Sequence, residues 1–167
     1  MKKLLLSLMV VSMVSGCALF RNSKDSGVTS ETTGAGGTAN VDSSMNFAPT
    51  GSDAGAIAGL QTIRFNYDSD ALSDGEQQKL DANADWLKSN AAAQLTIEGH
   101  CDQRGSTEYN LSLGERRANK VKQMLVAKGV AANRLTTTSF GKERPISKGD
   151  SDADMAMNRR ANFVLTK

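Results

Sequence analysis

The sequence is poor in the residues from which many functional sites are built. Its 167 residues include two cysteines and one histidine, too few for a disulfide framework or a four-ligand zinc site, so no metal is expected. Basic residues outnumber acidic ones by only 20 to 18, for a formal charge of +2, and this small excess argues against nucleic acid as a partner. Hydrophobic residues make up only 39% of the chain, and fifteen residues are glycine. Part of the chain is therefore expected to lie outside any folded core.

The longest apolar run lies at the start of the chain and is typical of an export signal. Two lysines precede the apolar stretch at 4–14, and the small residues Ser15 and Gly16 follow it. The stretch is too short to span about 30 Å of hydrocarbon at roughly 1.5 Å per residue. We therefore predict a signal peptide at 1–16. An uncleaved N-terminal anchor is the alternative.

The end of this segment resembles a bacterial lipobox. The motif is Val14-Ser15-Gly16-Cys17, in which the cysteine thiol becomes diacylated and cleavage leaves a new amine to be acylated. Several acyl chains anchor a protein firmly, whereas one chain holds it only marginally. Cys17 is therefore the predicted lipidation site. Ala18, in place of aspartate, favours the outer membrane.

Composition separates a linker from a folded domain. Residues 17–59 are rich in Gly, Ser, Thr, Ala and Asn without apolar periodicity, so they cannot bury enough surface to offset the loss of chain entropy. We predict a flexible tether there and a domain at 60–167 with the order β-α-β-α-β-loop-β, which indicates a two-layer α/β sandwich. The predicted elements are a strand at 63–67, a helix opened by a capping box at 73–76 and closed at 89–90, a strand at 95–99, a helix at 108–128, a strand at 135–140, one helical turn near 155–158 and a strand at 163–165.

One charged residue interrupts the apolar face of the second predicted helix. At about 100° per residue, Arg117 lies within an arc of apolar side chains. A buried charge is strongly disfavoured without a partner. That partner is either a carboxylate of the same domain or the anionic group of a ligand, and the pattern leaves both open. The apolar positions are Leu113, Ala118, Val121, Met124 and Leu125.

The segment before this helix concentrates residues that can do chemistry. Glu98, His100 and Asp102 are spaced by two and would share one face of a strand. This spacing is compatible with a metal site or a hydrolytic site, although a single histidine supplies few ligands. Cys101 would point to the opposite face from His100, so an activated thiol is not expected there. Cys101 is predicted to be buried and inert.

One continuous segment closely resembles the OmpA-like peptidoglycan-binding domain family. It is GHCDQRGSTEYNLSLGERRA at 99–118. Supporting motifs are FNYD at 65–68, SFGKERP at 139–145 and NRRA at 158–161. The resemblance extends over about 60–167, and it implies a mixed four-stranded sheet with helices packed on it. The sequence departs from the commonest family pattern at Cys101, where Ala or Thr is frequent, and at 66–67 and Ser69.

The resemblance implies a binding domain without catalysis or cofactor. In this family the domain grips the diaminopimelate residue of a peptidoglycan stem peptide. The matching residues are Asp102, for the ammonium group of this zwitterion, and Arg117, for its carboxylate. Arg159 and Arg160 are expected in structural or surface ion pairs. The other residues implied to line the pocket are Tyr67, Asp68, Asn110 and Leu113.

The resemblance also implies a mechanical role in the envelope. A lipoprotein of this kind would tether the outer membrane to the cell wall and would have TolB and other Tol proteins as partners during envelope constriction. One alternative is a lipoprotein of another envelope apparatus, for secretion or motility. A second alternative, of a different class, is a periplasmic hydrolase that uses Glu98, His100 and Asp102.

Overall fold

The structure is a computed structural model that describes residues 50–166. The predicted signal peptide, the predicted lipidation site Cys17 and most of the predicted tether lie outside the described residues. None of the described helices is long and apolar enough to cross a membrane. The strands and helices are β1 (Ile63–Arg64), α1 (Asp74–Ser89), β2 (Leu95–His100), α2 (Thr107–Ala127), β3 (Leu135–Gly141), α3 (Asp152–Asn158) and β4 (Arg160–Leu165).

The described strands form one mixed sheet in the order β1-β4-β2-β3. β2 pairs parallel with β3, whereas β4 pairs antiparallel with both β1 and β2. Parallel neighbours require a long crossover connection, and here α2 supplies it by packing against β2 and β3. This arrangement confirms the predicted two-layer sandwich with a mixed four-stranded sheet. It also places the start of α2 directly beyond the carboxyl end of β2.

Apolar side chains from α1, α2 and one face of the sheet form the core. They recur at helical spacing on the two helices and at alternate positions on the strands, as expected for elements with one buried face. Helix α2 keeps its predicted apolar face, which lies against the sheet. Fully buried core residues include Ile63, Leu80, Leu87, Leu95, Ile97, Ala118, Val121, Leu125 and Phe163.

The first helix begins where predicted but is not capped as predicted. Ser73 is the N-cap residue of α1, yet its side chain makes no capping hydrogen bond. Glu76 instead accepts a hydrogen bond of 2.9 Å from the backbone nitrogen of Arg64 and pairs with Lys79 at 2.7 Å. The predicted capping box is therefore wrong, because a contact with β1 engages the carboxylate that would have completed it.

A capping box does form at α3, which is longer than the single turn predicted. The side chain of Ser151 accepts from the backbone of Asp154, whose carboxylate accepts from the backbone of Ser151. At the other end of the helix, Asn158 Oδ1 accepts from the backbone nitrogens of Ile146 and Ser147 at 2.9 and 3.1 Å. These contacts fix the loop before α3 and the position at which β4 begins.

The segment at 51–59, predicted to belong to the tether, packs on the domain instead. Gly51–Ala54 forms a 3₁₀ turn. Arg160 Nε donates to Asp53 Oδ2 at 2.6 Å, and both side chains are almost fully buried. Ile57 belongs to the core. The predicted boundary at 59 is therefore wrong, because a buried ion pair and an apolar side chain tie this segment to the sheet.

Helix α2 approaches β2 at two facing glycines. A Cβ atom built on Gly99 would fall well inside the van der Waals radius of the Gly114 carbonyl oxygen, and one on Gly114 would lie 2.9 Å from the Gly99 carbonyl oxygen. These carbonyl oxygens belong to the backbone of the facing element, and they cannot move aside as the end of a flexible side chain could. Glycine at both positions therefore sets how closely the start of α2 lies to the end of β2.

We predict that Gly99→Ala destabilises the domain by about 3 kcal/mol or more, because an overpacked contact has to push α2 away from β2. Thermal and urea unfolding of the two proteins measure this loss. Gly75→Ala is the matched control, since a Cβ there meets nothing within 4 Å and should stabilise α1 by about 0.4–1 kcal/mol. Equal effects of the two substitutions would contradict the importance of the close approach.

Candidate functional site

A cleft opens where β2 ends and α2 begins. The cleft is small, with a volume of about 70 Å³, well below the roughly 300–1,000 Å³ of pockets that enclose a drug-sized ligand. A cleft of this size suits a small polar molecule or the end of a longer chain. All the residues that the sequence predicts for the site line it, namely Tyr67, Asp68, Asp102, Asn110, Leu113 and Arg117.

Asp102 supplies a carboxylate to the cleft, and two arginines hold it. Its side chain is only 4% exposed. Oδ2 accepts from Arg104 Nη2 at 2.6 Å and from Arg159 Nη1 at 3.1 Å, and Oδ1 accepts from the backbone nitrogen of Arg104 at 3.2 Å. Burial raises the pKa of Asp102, but these hydrogen bonds outweigh it and hold the pKa below its ordinary value. The carboxylate is therefore ionised at neutral pH.

Arg117 brings a buried guanidinium to the opposite side of the same cleft. Its Nε donates to the Ser69 carbonyl at 2.9 Å, Nη1 to the His100 carbonyl at 2.8 Å, and Nη2 to the Asn66 carbonyl at 3.0 Å. Nη1 also lies 3.4 Å from Cys101 Sγ. A guanidinium has five N–H donors, so one N–H of Nη2 takes no part in these contacts, and the side chain as a whole is fully buried.

The contacts of Arg117 test the first of the two interpretations of its place in the helix, an ion pair within the domain. None of its described hydrogen bonds goes to a carboxylate, and Asp102 pairs with Arg104 and Arg159 instead. The interpretation of an ion pair within the domain is therefore wrong for the described residues. Backbone carbonyls solvate the buried cation without neutralising its charge.

The rim of the cleft is formed by the loop after β1 and the first turn of α2. The hydroxyl of Tyr109 donates a short hydrogen bond to Asp68 Oδ1, and this bond raises the pKa of Tyr109. Asp68 has a φ of 50°, a left-handed conformation that costs energy for a residue other than glycine. Tyr67 and Tyr109 remain 59% and 47% exposed. Two aromatic rings therefore border the mouth of the cleft.

Asn110 and Leu113 hold the floor of the cleft in place. Asn110 Nδ2 donates to the carbonyls of Arg104 at 2.7 Å and Ser106 at 3.1 Å, which ties the loop after β2 to α2. Ser106 is also the N-cap of α2 and accepts from the Tyr109 backbone. Leu113 lies one turn further along the helix and is buried, so it adds an apolar side chain to the lining of the cleft.

Several residues of the cleft were not predicted. Arg104 lies two residues from Asp102 in the sequence. This spacing of opposite charges could have indicated that the two side chains pair. Arg159 was expected in a structural or surface ion pair; it does pair, but with Asp102 inside the cleft. No local pattern indicates that contact, since the two residues are 57 positions apart. The other unpredicted residues that line the cleft are Cys101, Gly105 and Tyr109.

Cys101 lies under the cleft as a buried free thiol, as predicted. It donates to the Asn110 carbonyl at 3.3 Å and accepts from Arg117 Nη1 at 3.4 Å. Burial raises the pKa of its thiol despite the nearby positive charge of Arg117. The thiolate, which is the reactive form, is therefore disfavoured.

Glu98 and His100 do not join Asp102. His100 is buried and stacks on Phe140 with ring centroids 5.6 Å apart, and its Nε2 lies 3.6 Å from Glu98 Oε2. Neither residue lines the cleft. The predicted common face of the three is wrong, because β2 ends at His100 with an irregularity in its pairing to β3. Within residues 50–166 no group of three or more His, Cys, Asp or Glu side chains is placed to hold a metal ion.

Comparison with known proteins identifies the family of the chain. The sequence model of the OmpA family matches residues 64–159, which is more than half of the chain. The chain therefore belongs to the OmpA family.

Individual relatives and solved structures show which members of that family the chain is similar to. The chain is 45% identical over 103 residues to the peptidoglycan-associated lipoprotein of Brucella melitensis, a match that covers 62% of this chain and 61% of that protein. The crystal structure of the peptidoglycan-associated lipoprotein from Burkholderia pseudomallei is 38% identical, with a TM-score of 0.61 over 63% of this chain and 89% of that one. The cell wall anchor of the T6SS from Pseudomonas aeruginosa is 30% identical, with a TM-score of 0.55 over 64% and 80% of the two chains. The chain thus matches about three fifths of the length of such curated relatives.

We predict that the free energy of unfolding falls when the pH is lowered from 7.5 to 5.5, and that His100→Gln removes this fall. Burial lowers the pKa of His100 more than the nearby Glu98 carboxylate raises it. Below the unfolded-state pKa of about 6.5 the unfolded chain binds the extra proton, so stability decreases by up to about 1.4 kcal/mol per pH unit. Urea unfolding at several pH values measures the slope.

His100 is the only histidine of the chain, so the assignment of that slope is direct. The other charged groups around it are Glu98, Arg160 and Asp53, and none of their side chains has an ordinary pKa in this pH range. A slope that persists unchanged in His100→Gln would contradict a neutral, buried His100.

Proposed function

We propose that the domain binds peptidoglycan non-covalently by gripping the free end of a diaminopimelate residue. The observation that carries the proposal is that one cleft is lined by both a carboxylate, from Asp102, and a guanidinium, from Arg117. These are the two groups that a ligand with an ammonium and a carboxylate at one end requires. The names of the relatives, peptidoglycan-associated lipoprotein and cell wall anchor, support the same choice of ligand.

Each part of the ligand has a proposed partner. The ammonium group donates to the carboxylate of Asp102, and the free N–H of Arg117 Nη2 donates to the ligand carboxylate. Leu113 contacts the methylene chain that leads away from these groups. Because Asp102 and Arg117 are both nearly buried, their interactions with a bound charge are stronger than they would be at the surface.

We infer that the rest of the chain makes this domain a tether. Cys17 is the proposed lipid anchor in the outer membrane, and the segment between the anchor and residue 50 gives the domain its reach to the wall. Binding to a polymer by many such domains gives high avidity even where each contact is weak. The proposed role is mechanical, and TolB and other Tol proteins are its proposed partners in envelope constriction.

A second candidate function shares the ligand but not the partners. The likeness to the cell wall anchor of the T6SS, at 30% identity, favours an anchor for another envelope apparatus as the alternative. Co-purification with TolB from membranes separates the two assignments. The hydrolytic alternative has no comparable support, because it requires Glu98 and His100 beside Asp102 in the cleft.

We predict that Asp102→Asn and Arg117→Lys each reduce binding to purified sacculi by at least about tenfold. A hydrogen bond to a charged group contributes about 1.5–3 kcal/mol, and about 1.4 kcal/mol corresponds to a factor of ten. Co-sedimentation of the purified protein with sacculi measures the fraction bound. Walls with diaminopimelate should retain the wild type better than walls with lysine, which lacks the carboxylate at its side-chain end.

Arg116→Lys is the matched control for these variants. Arg116 is exposed, and its guanidinium contacts Ser112 at 3.0 Å without lining the cleft, so binding should not change. Thermal unfolding establishes that each variant is folded, and Asp102→Asn serves as the independent test if Arg117→Lys does not fold. Wild-type binding by both site variants would contradict the proposed ligand contacts.

We predict that Cys17→Ser removes the chain from the outer-membrane fraction, because serine offers no thiol for acylation. Fractionation of cells and detection of the chain in each fraction measure this. Cys101→Ser is the matched control and should remain in the membrane fraction. Retention of Cys17→Ser in the outer membrane would contradict lipidation at that residue.

A further inference from the structure

Arg104 occupies the carboxylate that the proposed ligand would use. Its Nη2 lies 2.6 Å from Asp102 Oδ2, and its guanidinium carbon lies 3.8 Å from the centre of the Tyr67 ring at the rim. The hydrogen bonds from Arg104 and Arg159 leave the Asp102 side chain only 4% exposed. A ligand ammonium that reaches Oδ2 therefore has to replace one of the two guanidinium groups.

The side chain of Arg104 is held much less firmly than its backbone. The backbone nitrogen donates to Asp102 Oδ1 at 3.2 Å and the carbonyl accepts from Asn110 Nδ2 at 2.7 Å. The side chain, by contrast, is 36% exposed, and its Nε is buried without a hydrogen-bond partner among the described residues. An unpartnered buried donor is unfavourable, so the guanidinium gains a hydrogen bond when it turns to water. It can leave Asp102 without moving the loop.

Arg159 is the firmer of the two partners of Asp102. Its side chain is only 14% exposed, and its Nε donates to the Phe65 carbonyl at 3.1 Å. Phe65 in turn donates its backbone nitrogen to the Arg159 carbonyl at 3.0 Å. Displacing the Arg159 side chain would therefore break its hydrogen bond to Phe65 as well as its ion pair. Displacing Arg104 breaks only its ion pair with Asp102 and its contact with the exposed Tyr67 ring.

The charge of the cleft makes this competition selective. Its lining includes three arginines, Arg104, Arg117 and Arg159, but only two carboxylates, Asp68 and Asp102. An anion that carries no ammonium group is attracted by this excess of positive charge while Arg104 stays beside Asp102. A cationic group that takes the place of Arg104 beside Asp102 Oδ2 leaves the number of positive charges in the cleft unchanged.

We propose that Arg104 is a specificity-determining residue of the cleft: its guanidinium competes with the ligand ammonium for Asp102 Oδ2 and is replaced by it on binding. This inference rests on the proposed function, because it takes the zwitterionic end of diaminopimelate as the ligand. Replacement turns the Arg104 side chain toward solvent, where water satisfies Nε. Arg104 thereby weakens binding of the ligand, and the protein without this side chain should bind it more tightly.

Calorimetric titration of the purified protein with meso-diaminopimelate and with pimelate, which lacks both amino groups, tests the proposal. Arg104→Gln should bind meso-diaminopimelate about fivefold more tightly than the wild type, which corresponds to about 1 kcal/mol for a lost competing ion pair. Its affinity for pimelate should be unchanged or lower. Arg104→Lys keeps a competing cation and should behave as the wild type, and Arg116→Gln, outside the cleft, should change neither affinity.

A second measurement does not depend on the ligand. The pKa of Asp102, followed by NMR of its carboxyl carbon, should rise in Arg104→Gln because one of the hydrogen bonds that lower it is lost. An unchanged pKa, or equal or weaker binding of meso-diaminopimelate by folded Arg104→Gln, would overturn the inference and leave the proposed function intact. Failure of the wild type and all variants to bind meso-diaminopimelate would instead contradict the proposed function, and this inference with it.

Discussion

The buried guanidinium of Arg117 is the interaction on which the cleft depends. It joins segments that are far apart in the chain, since it donates to Asn66 and Ser69 in the loop after β1 and to His100 at the end of β2 while it belongs to α2. A buried cation is tolerated only when its donors are satisfied. Because carbonyl dipoles satisfy most of them here, the charge is solvated without being neutralised. One side chain therefore both assembles the cleft and gives it a positive wall.

Asp102 shows the complementary arrangement. It is the buried anion of the cleft, and it is stabilised by full charges from Arg104 and Arg159. Two cations on one carboxylate keep it ionised, but they also leave little of its surface for another molecule. The two charged groups of the cleft therefore differ. Arg117 has one N–H without a hydrogen-bond acceptor among the contacts described, whereas Asp102 already accepts from two guanidinium groups. If the ligand is the proposed zwitterion, its recognition depends on which of the two arginines it replaces at Asp102.

Local sequence patterns predicted most of the fold. Helix α2 was expected at 108–128 and is Thr107–Ala127, because its apolar face, the glycine after its end and its polar start are all local signals. The failures have tertiary causes. The capping box at 73–76 does not form because β1 engages Glu76. The domain begins before residue 59 because Asp53 pairs with Arg160, 107 positions away.

The sequence by itself determined that Arg117 lies on the buried face of α2, since helical periodicity places a residue relative to its own neighbours. It also placed Asp102 in the loop that precedes that helix, and the family motifs named six of the eleven residues that line the cleft. Only the tertiary structure decided how the charges pair. The position of β4 between β1 and β2 brings Arg159, directly before β4, to the end of β2 and onto Asp102. Arg117 hydrogen-bonds to carbonyl groups instead. Such partners depend on the order of the strands and the paths of the loops, which the periodicity of the sequence does not specify.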